Sequence, residues 1–452
     1  MNDQTHQLTL FGESSADDLP LPVHVDKRDY GTFKDSLRAP IHSWFRYPAG
    51  FSNTFVEQMF ARFEIHPGQW IYDPFSGTGT TLICAKQAGI NGYGVEAHAF
   101  VHWIAQVKLF WEFDRSSFGM TVENTLRSIK TWVNSRRDHT SVMGVFPELI
   151  YKCYHPQDLV ELYLVREFIE GEIDDPHLVD FLKVALTDTL RKAAAAGTGW
   201  PYIAPKKNTG DKPPKNALGV FTETARKMFR DIQLVTANPI AQSRIHNVLG
   251  DSREHQHLQD ETIDYALTSP PYLNNYDYAD RTRLETYFWG LAKTWGEITQ
   301  QYRNQLLVAA TTQVVRRQHD IDTVLNREID RISQTTYATI QTAVEALARQ
   351  RLVKAGKKDY DLMVALYFNG LLSVIREAYR VLKPGSKFCL VLGDSAPYGV
   401  YIATHELAGQ LGVGLGFKRF DYEMFRARGD KWRGNPQRHH VELREGVVIL
   451  TK

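Results

Sequence analysis

The 452-residue chain is 43% apolar and 23% charged, a composition of water-soluble globular proteins, and its length allows one large domain or two to three smaller ones. A net charge of +1 excludes binding of nucleic acid by overall basicity, so any such binding has to come from local patches. Three scattered cysteines (Cys84, Cys153, Cys389) exclude a disulfide framework and a metal-ligand cluster, and with no signal-like start and no membrane-length apolar run they point to the reducing cytoplasm.

Residues 1–39 are polar, carry a Leu-Pro-Leu-Pro pair, and read as a flexible leader. An aromatic turn follows from Trp44 to Phe51, then a helix with Phe55, Met59, Phe60 and Phe63 on one face, broken at Pro67-Gly68. Trp70-Ile71-Tyr72 reads as a short buried strand. It runs into Asp73-Pro74-Phe75-Ser76-Gly77-Thr78-Gly79-Thr80-Thr81 and an apolar helix, Leu82 to Ala88, with Gly89 at its C-cap. Tyr93-Gly94-Val95-Glu96 is a second strand, ending in a carboxylate.

Strand, glycine-rich turn, helix, strand and acid are the order of a nucleotide-binding βαβ unit. Glu96 lies 17 positions after Gly79, near the roughly 20 typical of a ribose-hydroxyl acceptor. Asp73 stands at the strand end, where a carboxylate faces the ligand. The dinucleotide pattern is incomplete, because Leu82 takes the third glycine position, and no Gly-Lys-Ser/Thr of a phosphate-binding loop follows. Another adenosine-bearing ligand fits better than NAD(P) or ATP.

Residues 111–240 are mainly helical in pattern and interrupted at 197–215 by a Gly/Pro-rich loop. That loop carries Trp200, Lys206, Lys207, Lys212 and Lys215, the residue types that contact phosphates and stack on bases. Ile245 to Leu249 is strand-like and ends at Gly250-Asp251-Ser252, another acid at a strand end. Ile263 to Leu267 is the next strand and stops at Thr268-Ser269-Pro270-Pro271-Tyr272. Two prolines remove ladder donors and fix the backbone, so this is a rigid turn presenting carbonyls, a hydroxyl and an aromatic ring at the carboxyl end of the sheet. Residues 291–365 are again helical and include Arg316-Arg317; a helix to Leu382, a turn at Lys383-Pro384-Gly385 and a buried strand Phe388 to Leu392 follow. The tail offers two strands, 417–425 and 440–450, joined by a basic segment with Arg426, Arg428, Lys431, Arg433 and Arg438.

Together these residues resemble the amino-group DNA methyltransferases. The segment from Asp73 to Thr81 is similar to that family's S-adenosylmethionine loop, Glu96 to its ribose acid, and Asp251, with Ser252 beside it, to its adenine-contacting acid. Trp44 to Phe63, including Tyr47, resembles its first cofactor-contacting segment. Ser269-Pro270-Pro271-Tyr272 resembles its catalytic tetrapeptide in the serine form, which in that family usually goes with cytosine N4; Asp or Asn in place of Ser usually goes with adenine N6. The resemblance covers about 40–110, 245–290 and 375–450.

It implies an α/β, Rossmann-like class I methyltransferase sheet with a C-terminal antiparallel hairpin and large helical insertions. The cofactor-binding part is 40–110, the catalytic part 241–290 and the C-terminal part of the sheet 366–452. The insertions are 111–240, the candidate target-recognition region, and 291–365. Implied cofactor contacts are Tyr47, Asp73, Phe75, Ser76, Gly77, Thr78, Gly79, Thr80, Glu96, Asp251 and Ser252.

The implied reaction is methylation of a flipped-out cytosine in duplex DNA. Ser269 and Pro270 accept from the amine, Pro271 rigidifies the turn and Tyr272 stacks on the base. No metal is needed. Phosphate contacts are expected from the 200–215 loop, Arg316, Arg317, Arg428, Lys431 and Arg433. A cognate restriction endonuclease is the partner such enzymes usually protect against. Three rival readings are an adenine-N6 enzyme, a tRNA guanine-N2 enzyme, and a non-catalytic recognition subunit.

Overall fold

Seven strands form one sheet in the order β3-β2-β1-β4-β5-β7-β6: β1 Trp70–Asp73, β2 Asn91–Glu96, β3 Ile245–Leu249, β4 Ile263–Thr268, β5 Leu382–Gly393, β6 Arg419–Arg428 and β7 Leu443–Thr451. The structure, a computed structural model, describes residues 26–47, 50–198, 203, 213–237, 242–255, 257–428 and 441–452. β1 pairs in parallel with β2 and β4, β2 with β3, and β4 with β5, whereas β7 runs antiparallel to both β5 and β6. This is the Rossmann-like sheet with a C-terminal antiparallel pair that the sequence implies. From β1 the chain winds outward through β2 and β3, then returns to lay β4 on β1's other side. A crevice opens where the winding reverses, at the carboxyl ends of β1 and β4.

Both faces of the sheet are covered, as a parallel sheet requires, and five of β4's six residues are accordingly buried. One face carries α2 (Thr80–Gln87) and α3 (Ala99–Leu109). Their Leu82, Ile83, Phe100 and Ile104 share one core with the insertion helices α4 (Arg115–Arg136), α5 (Glu148–Cys153), α6 (Pro156–Gly171), α7 (Pro176–Ala193) and α8 (Ala217–Val235). The starts of these helices follow from their caps: Asp114 on α4, and Asp175 with Pro176 on α7. After β4 come α9 (Arg283–Phe288), α10 (Trp295–Gln301), α11 (Arg327–Ile332), α12 (Gln334–Val353), α13 (Tyr360–Val381) and α14 (Thr404–Leu415). α13 and α14 bury Phe368, Leu371, Ile375 and Leu411 with Tyr72, Phe388, Leu390 and Val448 of the sheet. A third cluster packs α1 (Asn53–Arg62) through Phe55, Val56 and Met59 against Ile71, Leu267, Val391 and Val447.

Three details depart from the sequence reading. Lys383-Pro384-Gly385 is no turn before β5 but an irregularity within it: pairing with β4 passes from Ile263–Leu382 to Tyr265–Lys387. Gly385 takes φ 84°, which accommodates the bulge. Between 303 and 326 the second insertion has short 3-10 turns instead of continuous helix. Within the stretch read as a leader, Tyr30 and Phe33 are buried, Tyr30 against Phe55 and Phe425. Among the described residues, no helix is long and apolar enough to cross a membrane, and no cluster of three or more His, Cys, Asp or Glu could hold a metal ion.

Candidate active site

The first strand tip is the glycine loop. Gly77 and Gly79 take φ 53° and 87°, left-handed conformations that let the chain turn from β1 into α2 with its backbone exposed to a ligand. No side chain caps α2, so its leading N–H groups face the crevice. Glu96, at the tip of β2, accepts from the Gly77 N–H at 2.9 Å and the His98 N–H at 2.7 Å. Burial pushes its carboxyl up to about 7, against the pull of those two donors.

Ser76 ties the loop to β3 through the Asn247 side chain at 2.8 Å. The missing third glycine also has an explanation. Leu82 packs directly on Gly92 and Gly94, where a Cβ would come within 2.8 and 2.6 Å of its methyls. The close helix–strand approach normally granted by a glycine on the helix is granted here by glycines on the strand.

The second tip is Thr268 to Tyr272. Thr268 Oγ1 donates to Asp73 Oδ1 at 2.6 Å, which bolts the end of β4 to the end of β1 immediately before the two functional loops. Asp73 Oδ1 also accepts from the Phe75 N–H at 3.0 Å, while Oδ2 is buried with no partner among the described residues. Burial raises the Asp73 carboxyl to about 6, with the Thr268 and Thr81 hydroxyls opposing.

Tyr272 is only 7% exposed. The Arg428 guanidinium lies 5.2 Å from its ring centroid, and its hydroxyl lies 3.4 Å from Glu445 Oε1. Glu445, 1% exposed, also accepts from Arg426 at 3.0 Å and pairs with Arg428 at 3.4 Å. Burial and Glu445 push the Tyr272 phenol well above its ordinary range, and the Arg428 charge and the Ser269 hydroxyl pull it back.

The two tips border one pocket of about 740 Å³ counting its open mouth. Of the residues expected at the site, Tyr47, Phe75, Ser76, Gly77, Thr78, Thr80, Glu96, Asp251, Ser252, Ser269 and Pro271 line it. Asp73, Gly79, Pro270 and Tyr272 do not; they stand behind the lining in the same two loops.

The sequence reading missed several lining residues. The Tyr278 hydroxyl accepts from the Tyr272 N–H at 3.4 Å, and burial raises its phenol to about 12. Arg253 clasps Asp251 at 2.8 and 2.9 Å and so occupies the acid expected to meet adenine. Gln305, Leu306 and Leu307 form a wall held to the loop after β4 by Arg303–Asp277 at 2.9 Å and by the Asn274 N–H on the Ala309 carbonyl at 2.8 Å. An aromatic six positions after Tyr272 was a visible signal for Tyr278, but nothing in the sequence marked the wall.

Of the expected phosphate contacts, Trp200, Lys206, Lys207, Lys212, Lys431 and Arg433 lie outside the described residues. Lys215 donates to the Lys192 and Ala194 carbonyls at 3.2 and 2.5 Å, tying off the end of α7. Arg316 is engaged by Asp359 and Asp361. Arg317, on the same turn, is exposed, and Arg428 lies on Tyr272.

A family model described as DNA methylase matches residues 24–107. Along nearly its whole length the chain is similar to the Type II methyltransferase M.BsoBI of Geobacillus stearothermophilus: 25% identity, 93% of this chain and 87% of that one. It is 24% identical to M.AvaI of Anabaena variabilis, covering 85% and 81%, and 20% identical to M.MvaI of Kocuria varians, covering 89% and 93%. The chain is thus similar over most of its length to DNA methyltransferases of this type. In such a methyltransferase the pocket has to admit an adenosine-bearing donor, and its residues fit one. Left-handed glycines leave the backbone bare, Glu96 stands at the next strand tip, Tyr47 and Phe75 add aromatic surface, and Thr78 Oγ1 is a buried hydroxyl with no partner among the described residues.

Proposed function

We propose that the protein is a site-specific DNA methyltransferase that uses S-adenosylmethionine to methylate cytosine N4 in a base flipped out of the duplex, as the modifying half of a restriction–modification pair. The observation that carries this reading is the single pocket bordered by Gly77 and Thr78 on one side and by Ser269 and Pro271 on the other. S-adenosylmethionine, when bound, supplies an electrophilic methyl group. Glu96 would hold its ribose hydroxyls, the Gly77–Thr80 backbone its amino-acid end, and Asp251 with Ser252 its adenine.

The exocyclic nitrogen of cytosine is a poor nucleophile because its lone pair is delocalised into the ring. The Ser269 hydroxyl and the Pro270 carbonyl accept its N–H bonds, favouring a pyramidal nitrogen, and Pro271 keeps both acceptors from relaxing. Tyr272 offers a ring for stacking once the base is extruded. Its hydroxyl toward Glu445 and the Arg428 contact fix that ring's angle. The Thr268–Asp73 bond sets the separation between the donor and acceptor loops. Serine at 269, where an adenine enzyme more often has Asp or Asn, favours cytosine over adenine.

The test is to incubate unmethylated genomic DNA with the protein and S-adenosylmethionine, digest it and resolve the nucleosides. N4-methylcytosine is expected. N6-methyladenine alone would overturn the choice of base, and methyl transfer confined to tRNA would overturn DNA as substrate.

A further inference from the structure

A basic groove crosses the helical insertion where α4 and α8 meet. α4 contributes Arg127 and Lys130, and α8 contributes Arg226, Lys227 and Arg230. Lys192 and Lys215 stand at its end, and Glu223 is the single acid in the lining. On a chain of net charge +1, such a concentration leaves the remainder net acidic. Positive charge has been sorted onto this groove.

Three of those seven cations are already paired locally. Arg226 forks onto Glu123 at 2.8 and 3.0 Å, Lys227 pairs with Asp231 at 2.7 Å and Lys192 with Asp188 at 2.5 Å. Arg127, Lys130 and Arg230 are exposed and make no ion pair among the described residues. An ordinary solvated helix face mixes its signs. Here Lys130 on α4 and Arg230 on α8 line one cleft without an ion pair, while Arg127 is held only by the Asn124 side chain at 2.6 Å and the Glu123 carbonyl at 3.3 Å, which leaves charge for an extended polyanion to meet.

The groove is also joined to the pocket by two chains of contacts. Lys192 follows Arg191, which binds Glu285 and the Arg281 carbonyl, each at 2.5 Å. Arg281 in turn lies 5.6 Å from the Tyr276 ring, just past the tip of β4. In the second chain, Lys227 holds Ser43 at 2.7 Å, and Asp231 holds the Trp44 indole at 3.0 Å, three residues before pocket-lining Tyr47.

We propose that the α4–α8 groove seats the phosphate backbone of the duplex whose base enters the pocket. The proposal rests on the methyltransferase reading, and its determinants are Arg127, Lys130 and Arg230.

Lys130→Glu and Arg230→Glu, singly and together, test it by anisotropy of a labelled duplex across a salt series, with melting temperature as the check on folding. Each substitution is expected to flatten the log–log salt dependence by about 0.9, and the pair to weaken binding at least about tenfold at low salt. Wild-type affinity and slope in the double variant would overturn the groove, even if the wild type methylates DNA normally. Weakened binding alongside a wild type that methylates nothing would uphold the groove and overturn the catalytic reading instead. Double-stranded RNA bound as tightly, with the same sensitivity to both substitutions, would overturn DNA as the partner.

Discussion

The glycine-loop side of the pocket is written almost entirely into one stretch, residues 70–98, whereas the Ser269–Tyr272 side is assembled from places far apart in the chain. On the first side Gly77, Gly79, Glu96 and the packing of Leu82 on Gly94 are separated by at most a strand and a helix. On the second, Tyr272 is held by Arg428 and Glu445, and the loop after it by Arg303, Ala309 and Thr312. A local site is fixed by backbone conformation and close packing. A distributed site is fixed by a few polar contacts whose loss leaves the fold standing. The two sides should therefore break differently.

The largest effect is expected on the distributed side. Glu445→Ala leaves Arg426 and Arg428 without their buried carboxylate and releases the Tyr272 hydroxyl. Removing one partner of a buried pair costs about 3–5 kcal/mol, and the lower end applies because both arginines keep contact with water. Denaturant unfolding should show that loss. Methyl transfer should fall with it, while S-adenosylmethionine affinity in the surviving folded protein stays near wild type.

Next comes the local side. Gly94→Val drives a side chain into Leu82 and Ser76, and overpacking of this kind costs about 1–3 kcal/mol. The loop is displaced, so cofactor affinity measured by calorimetry should drop. Leu82→Ala should restore part of it, and a double-mutant cycle should return a coupling between the two sites.

A pH effect of intermediate size sharpens the contrast. Glu96 and Asp73 carry raised carboxyls, at about 7 and about 6. Since both values exceed those of the unfolded chain, the folded state holds the protons more tightly. These two groups therefore favour the fold at acid pH, and that contribution is lost as pH rises through about 7. Cofactor binding should run the other way if the Glu96 carboxylate accepts ribose hydroxyls: affinity weakens as pH falls below about 7. Glu96→Gln should flatten the affinity profile, and a flat wild-type profile would remove Glu96 from that role.

The smallest effect is expected at the bolt between the two sides. Thr268→Val deletes one buried hydrogen bond, worth about 0.5–1.5 kcal/mol, and should lower the methylation rate more than it lowers affinity for either ligand. Equal changes in rate and affinity would show that the bond serves stability alone.

The same contrast explains what could be read without coordinates. The glycine loop, the strand acids and the Pro-Pro turn were legible because each is a local pattern with its own backbone logic. The class of sheet and its C-terminal antiparallel pair followed from the family resemblance, whereas the order of the strands came only with the structure. What stayed hidden is long-range. Leu82 looked like a flaw in a motif until Gly92 and Gly94 were seen beneath it. Arg428 looked like a phosphate contact, with no sign that it covers Tyr272. Gln305–Leu307 carry no chemical signal and become pocket wall only because Asp277 and Arg303 bring their segment there. The basic residues of α4 and α8 are unremarkable in separate helices and become a groove only when those helices cross.

The most direct test compares Glu96→Ala with Ser269→Ala, measuring S-adenosylmethionine affinity and single-turnover methylation of duplex DNA for each. The account predicts opposite failures: Glu96→Ala loses affinity, whereas Ser269→Ala keeps it and loses about 10²–10³ in rate, as removal of an oriented polar group at a reacting centre does. If both variants lose affinity and rate in the same proportion, the two strand tips do not divide the work between donor and amine, and the account is contradicted.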